Sequence, residues 1–252
     1  MTVHYENVGN AAVVTIANPA RRNAVDRATA LALAGAWQRF EEDDDAAVGV
    51  LTGAGGHFCS GADLKSFDLV DDDAGFLGMT RTMVSKPTIA AIAGYAVGGG
   101  LELALWCDLR VAGEDAVLGC LERRFGVPLV DGGTVRLPQV VGLGRALDLI
   151  LTGRRVPAEE AFRIGLVDRL VAPDTELAAA LDLAEEIASH PQATLRSDRA
   201  SVYATLGVPM GPALEEERRL GLESIGVAAE GAARFAAGEG RRWSVADGTT
   251  AP

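Results

Sequence analysis

The chain has 252 residues, and its 35 acidic against 23 basic side chains leave a formal net charge of −12. This length suits one main hydrophobic core, and the acidic balance repels a nucleic-acid backbone, although helix N-termini and a few arginines can still hold a smaller anion. With 48% apolar residues, only 5% aromatic ones and 30 glycines, the composition is that of a tightly turning globular protein packed with small side chains, not a disordered or fibrous one.

The N-terminal stretch MTVHYENVGN has no basic segment leading into an apolar run, and no later run reaches about 18 apolar residues, so neither a signal peptide nor a membrane span is expected. Residues 11–17 (AAVVTIA), 47–52 (AVGVLT) and 88–93 (TIAAIA) are short apolar runs bounded by Gly, Pro or Asn, the pattern of buried strands. Between the first two, Asp26 is placed to cap a helix that reaches about Phe40, with Leu33, Trp37 and Phe40 on one face. After Gly94 a glycine turn opens a short apolar helix, and another strand follows near Leu109 to Ala112. Strands and helices alternate to about residue 170. Beyond Pro173 the pattern becomes helical over 176–189, 194–207 and 213–238, with alanine-rich faces that call for a partner surface. The fold class is therefore α/β, with a core over 1–190 and a helical region over 191–252.

Cys59, Cys107 and Cys120 are odd in number and lack CxxC spacing, which argues against a disulfide framework or structural zinc and points to a reducing cytoplasm. His4, His57 and His190 are scattered, so no metal is expected. No P-loop, no GxSxG elbow and no HExxH occur.

Glu102 stands out because its helical neighbours Leu101, Leu103, Ala104 and Leu105 belong in a core, where an unpaired carboxylate is costly. Either its side chain finds solvent or an arginine, or it is a desolvated acid or base with a raised pKa. Glu122 precedes Arg123 and Arg124, so a surface ion pair explains it equally well, and Asp131, before two glycines, has the sequence of a turn residue bonding its own backbone. The glycine-rich segments 55–63 and 94–100 leave backbone N–H groups unshielded, and the second opens a helix whose dipole favours a developing negative oxygen.

Together, NPARRNAV at 18–25, GGHFCSGADLKSF at 55–67, KPTIAAIAGYAVGGGLELALWCD at 86–108, GGTVRLPQVVG at 132–142 and LTGRRVPAEEAFRIGLVDRLV at 151–171 resemble the crotonase, or enoyl-CoA hydratase and isomerase, superfamily. The resemblance implies a spiral of repeated β-β-α turns, with a helical C-terminal region that builds a homotrimer or a dimer of trimers. It implies an acyl-CoA thioester as substrate, with no cofactor apart from the coenzyme A that the substrate carries. It also implies an oxyanion hole from the N–H groups of Ala62 and Gly99, and a catalytic pair in Glu102 and Glu122, with Glu122 provisionally the proton donor to a 2-enoyl-CoA undergoing hydration. By position, Arg22, Ala24, Ala62, Asp63, Leu64 and Lys65 match the CoA-binding region, and Phe235, Arg241 and Arg242 match residues that relatives bring toward a neighbouring subunit's CoA.

The segment ERRFGVPLVDGGT departs from the common hydratase pattern. It puts Arg123, Arg124 and Asp131 near the expected acyl pocket, where they would accept a polar or carboxylated acyl chain or pair with one another. Asp131 also approximates the third acid of dienoyl-CoA isomerases, with one extra residue in the spacing, which makes an enoyl- or dienoyl-CoA isomerase the alternative reading. A non-catalytic acyl-CoA-binding protein is the more distant one.

Overall fold

A computed structural model describes residues 2–66, 68, 70 and 72–238, and the chain divides into two units, residues 1–189 and 190–252. The first unit runs β1 (Val3–Val8), β2 (Ala11–Ile16), α1 (Arg27–Glu42), β3 (Val48–Gly53), β4 (Thr88–Ile92), β5 (Tyr95–Val97), α2 (Gly99–Trp106), β6 (Leu109–Gly113) and β7 (Val117–Gly119). It continues through α3 (Gly133–Val141), α4 (Leu143–Thr152), β8 (Val156–Pro157), α5 (Ala158–Arg163), β9 (Arg169–Val171) and α6 (Glu176–Ala188). The second unit holds α7 (Gln192–Thr205), α8 (Met210–Ser224) and α9 (Gly226–Ala236).

Six strands form one sheet in the order β1-β2-β3-β4-β6-β9, parallel except for the β1–β2 hairpin. The apolar runs noted in the sequence are its central strands. They are apolar at successive positions because both faces are covered: Ala12, Val14 and Ile16 point into the larger core with α1, while Ala11, Val13, Val48, Val50, Ile89 and Val111 meet Ala180, Leu183 and Ala184 of α6 on the other side. Asp26 caps α1 as its position demands, its side chain accepting the Thr29 N–H at 2.8 Å. At the other end of α1, the buried Lys86 ammonium donates to the Phe40 and Asp43 carbonyls at 2.7 and 2.6 Å, partners that compensate its desolvation.

A second, three-stranded sheet has the order β5-β7-β8. The chain steps twice from the first sheet to the second, from β4 to β5 and from β6 to β7, and each step builds one turn of a spiral. The first step is made at Gly94, with φ +48° and so little room that a Cβ there would lie 2.4 Å from both the Gly56 carbonyl oxygen and His57 Nδ1. Two earlier segments add rungs beside this sheet without being full strands, through the bridges Cys59–Ala96 and Val25–Ala62.

In the second unit the structure corrects one expectation: the helix read over 213–238 is two helices, separated at Ile225. The Ala228 N–H bonds the Ile225 carbonyl three residues back at 3.0 Å, the tight turn that resets the helix at the poor helix former Gly226. β1 and the short strands β5, β7, β8 and β9 were not individually read from sequence, being too short or too alternating to stand out.

Gly94→Ala is expected to destabilise the protein by at least about 2 kcal/mol, since it combines a left-handed backbone with a clash against a fixed carbonyl. Urea unfolding should show a lower midpoint at unchanged m-value, and a midpoint equal to wild type would mean that this step between sheets tolerates a side chain.

Candidate active site

The site begins with backbone ladders. The Cys59 N–H donates to the Tyr95 carbonyl at 2.9 Å and the Val97 N–H to the Cys59 carbonyl at 3.1 Å, while on the other side the Val25 N–H donates to the Gly61 carbonyl at 2.9 Å and the Asp63 N–H to the Val25 carbonyl at 2.8 Å. The segment 59–63 is thus held between two neighbours, beside the point where β5 turns into α2. The fit is so close that a methyl on Gly61 would lie 2.8 Å from the Gly99 nitrogen and one on Gly100 would lie 2.1 Å from the Cys59 carbonyl oxygen. Neither the Ala62 N–H nor the Gly99 N–H has a hydrogen-bond partner among the described residues. The Gly99 amide is also the first of α2, where the helix dipole adds positive potential.

Ala62 and Gly99 line one cavity of about 350 Å3, together with Glu102, Glu122 and Asp131. The rest of its wall is largely apolar, from Phe76, Leu77, Val97, Leu121, Phe125 and Val127. Glu102 lies in the first turn of α2, 4% exposed, and its Oε1 accepts the Asp131 N–H at 2.9 Å and the Gly133 N–H at 2.8 Å. Burial pushes its pKa up to about 7; the two N–H bonds oppose that rise, and the charges of Asp131 and Glu122 add to it. Glu122 sits in the 3-10 turn Leu121–Phe125, with both carboxylate oxygens buried and without a well-formed hydrogen bond among the described residues. Burial raises its pKa as well, against a weaker pull from its own backbone N–H and from Arg123. A Cβ on Gly98 would lie 3.6 Å from Glu122 Oε2, which puts this carboxylate over the glycines that open α2.

Two sequence readings change here. Asp131 does not bond its own turn: its Oδ1 accepts the Leu77 N–H at 3.2 Å and the Thr80 hydroxyl, both from a distant segment. Among the described residues Arg123 and Arg124 form no salt bridge with Glu122 or Asp131 and do not line the cavity; their Nε groups donate to the Ile150 and Gly153 carbonyls at 3.4 and 3.1 Å, capping the C-terminal end of α4. They are not placed to receive a carboxylated acyl chain.

Of the residues matched to CoA binding, Ala62 and Leu64 line the cavity, whereas Arg22, Ala24, Asp63 and Lys65 lie outside its wall. Arg22 is exposed, with its guanidinium 5.3 Å from the centre of the Tyr95 ring, and Ala24 is buried. Burial works against the Asp63 carboxylate, yet the Lys65 N–H and the Arg21 guanidinium outweigh it and hold its pKa below the usual range, so Asp63 organises its loop. The Lys65 side chain is exposed. Phe235 is exposed on α9 in the second unit, and Arg241 and Arg242 lie outside the described residues. Sequence reasoning missed the 75–80 segment, whose Phe76 and Leu77 form cavity wall; the flanking glycines in GFLGMT were the available signal. All three cysteines are free and buried.

A spiral of paired strands that brings two free amides and two buried glutamates to one pocket defines a crotonase-fold enzyme. The chain matches the enoyl-CoA hydratase/isomerase family model over residues 6–243. A probable enoyl-CoA hydratase of Rhizobium meliloti is 40% identical over 87% of this chain and 88% of its own length. The crystal structures of enoyl-CoA hydratase EchA1 from Mycobacterium marinum (37% identical, TM-score 0.89) and of an enoyl-CoA hydratase from Mycobacterium tuberculosis H37Rv (36% identical, TM-score 0.90) each cover 94% of this chain and 96% of their own. The chain belongs to the enoyl-CoA hydratase/isomerase family.

Because burial lifts the folded-state pKa of Glu102 from the ordinary 4.5 to about 7, the native state holds a proton that the unfolded state releases. Stability is fully present below about pH 4.5 and falls as pH rises to about 7, by about 3 kcal/mol. Glu102→Gln keeps an oxygen for both N–H donors and removes the buried charge. The variant should therefore gain on wild type through this window in pH-dependent urea unfolding, and parallel stability curves would show that Glu102 ionises without penalty.

Proposed function

We propose that the protein adds water reversibly across the double bond of a 2-enoyl-CoA to give a 3-hydroxyacyl-CoA. The observation that carries this reading is Glu122, whose two buried oxygens have no hydrogen-bond partner among the described residues and which lines the same cavity as Glu102 and the Ala62 and Gly99 N–H groups. A buried carboxylate left in that state holds a proton or awaits a ligand. The family match and the relatives named as enoyl-CoA hydratases support the assignment.

In this reading the thioester carbonyl lies against the N–H groups of Ala62 and Gly99, which take up the negative charge that develops on its oxygen as the enolate forms. Removing one such donor elsewhere costs about 2.7–4 kcal/mol of transition-state stabilisation. Glu102, steadied at Oε1 by two N–H donors, and Glu122 hold the water between them. The water oxygen bonds to C3, one of its protons passes to the carboxylate pair, and Glu122 delivers a proton to C2. The pair ends with the proton count it started with, and no electrons leave the substrate, so the reaction needs no redox cofactor. The shared proton belongs to the pair.

An isomerase reading uses the same amides and moves a proton between carbons, with Asp131 as a third acid. Asp131 does line the cavity, but its Oδ1 already accepts two hydrogen bonds, and we rank this second. We further infer a cytoplasmic homotrimer or dimer of trimers. The three helices of the second unit contain no buried residue, and they expose Val202, Met210, Leu214, Leu222 and Phe235, with Ile225 exposed at the break between α8 and α9. No helix among the described residues is long and apolar enough to cross a membrane.

Incubation with crotonyl-CoA should consume the conjugated enone absorbance with a mass gain of one water. Glu122→Gln should lower kcat by roughly 10^2- to 10^4-fold while KM changes little, since remote contacts bind the CoA. A spectral change on a dienoyl-CoA without mass gain, and none on crotonyl-CoA, would favour the isomerase. By light scattering the solution mass should be three or six times that of the chain, and a monomer at micromolar concentration would overturn the assembly.

A further inference from the structure

Asp131 ties together two walls of the cavity that are far apart in sequence. Its own N–H, with that of Gly133, grips Glu102 Oε1. Its carboxylate accepts from Leu77 N–H and the Thr80 hydroxyl, and Arg136 bridges the same two segments, Nη1 donating to the Asp131 carbonyl at 3.0 Å and Nη2 to the Thr80 carbonyl at 2.6 Å. The 75–80 segment is itself fixed against α1, since a Cβ on Gly78 would lie 1.9 Å from the Ala30 carbonyl oxygen. Gly75 makes the tie possible: a Cβ there would stand 2.5 Å from Thr80 Oγ1 and 2.8 Å from Asp131 Oδ1. Asp131, Thr80 and the Leu77 amide are all buried, at 3%, 1% and 1% residue exposure.

We propose that Asp131 is a positioning residue and not a proton carrier: with Thr80 and Arg136 it fastens the loop that holds Glu102 to the opposite wall of the cavity. The inference rests on the hydratase reading for its kinetic arm alone. Both donors fall on Oδ1, so the tie runs through that one acceptor atom, whereas a proton carrier would act through a change of charge at the carboxylate. An Asn side chain keeps one oxygen in place for Leu77 N–H and Thr80, while an Ala keeps none. The charged and titratable groups around Glu102 are Asp131, Glu122 and Cys120 from the neighbouring cavity segments, with Arg81 and Arg136 on the carbonyls of Val130, Thr80 and Asp131. Asp131 raises the pKa of Glu102 through its charge, so neutralising Asp131 moves the titration of Glu102 to lower pH without removing its hydrogen bonds.

The test compares Asp131→Asn, Asp131→Ala and Thr80→Val on crotonyl-CoA, alongside the pH dependence of unfolding. Positioning predicts that Asp131→Ala and Thr80→Val lower kcat about 10- to 100-fold with KM within about threefold, that Asp131→Asn recovers most of the loss, and that the stability decline linked to Glu102 shifts to lower pH in Asp131→Asn. Equal loss of turnover in the Asn and Ala variants, with the enone isomerised and not hydrated, would make Asp131 a proton carrier and overturn the proposal. A wild-type kcat in Thr80→Val and Asp131→Ala would overturn it as well. If wild type turns over no enoyl-CoA, the hydratase reading fails by itself and the unfolding arm decides: an unshifted stability decline in Asp131→Asn then rejects the coupling to Glu102. Should Asp131→Ala not fold, Thr80→Val carries the kinetic comparison.

Discussion

Everything at this site depends on how closely the backbone of residues 59–61 approaches that of residues 97–100. The parallel ladder between Cys59 and Tyr95–Val97 sets the two segments side by side, and only hydrogen-sized side chains at Gly61 and Gly100 allow the contact, since a Cβ would lie 2.8 Å from the Gly99 nitrogen or 2.1 Å from the Cys59 carbonyl oxygen. With both segments fixed by their own hydrogen bonds, the Ala62 and Gly99 amides are left over on the cavity side. Such donors need no reorganisation when charge develops in front of them, which is why a rigid ladder serves an oxyanion better than a mobile side chain.

The electrostatics of the cavity follow from what this packing excludes. Its wall is largely apolar, and the carboxylates of Glu102 and Glu122 meet there with desolvation as the largest influence on each. In water the two would ionise independently near pH 4. Inside this wall burial raises the pKa of both, that of Glu102 to about 7. The Asp131 and Gly133 amides oppose that rise at Glu102, and at Glu122 its own backbone N–H and Arg123 oppose it.

Much of this was legible in the sequence. The apolar runs at 11–17, 47–52 and 88–93 are strands because a doubly covered sheet needs uninterrupted apolar side chains, and Glu102 drew notice because charge interrupts an otherwise apolar helix. The glycine-rich segments 55–63 and 94–100 showed as unshielded backbone N–H groups, though not that the two lie side by side. Less visible was everything that depends on which distant segment lies opposite. Asp131 carries the local signature of a turn, yet its partners Leu77 and Thr80 are more than fifty residues away. Arg123 and Arg124, adjacent to Glu122 in sequence, carry the signature of an ion pair.

The arginines show why adjacency misled. A 3-10 turn rotates successive side chains by about a third of a turn, so residues one and two places after Glu122 leave the cavity as Glu122 enters it. Their guanidinium groups then meet the carbonyls of Ile150 and Gly153 at the end of α4, acceptors that the helix itself cannot satisfy. Had either arginine folded back onto Glu122, the carboxylate would have been held ionised and its pKa lowered, as Arg21 helps to do for Asp63. The end of α4 therefore occupies two guanidinium groups that adjacency in sequence would have assigned to Glu122.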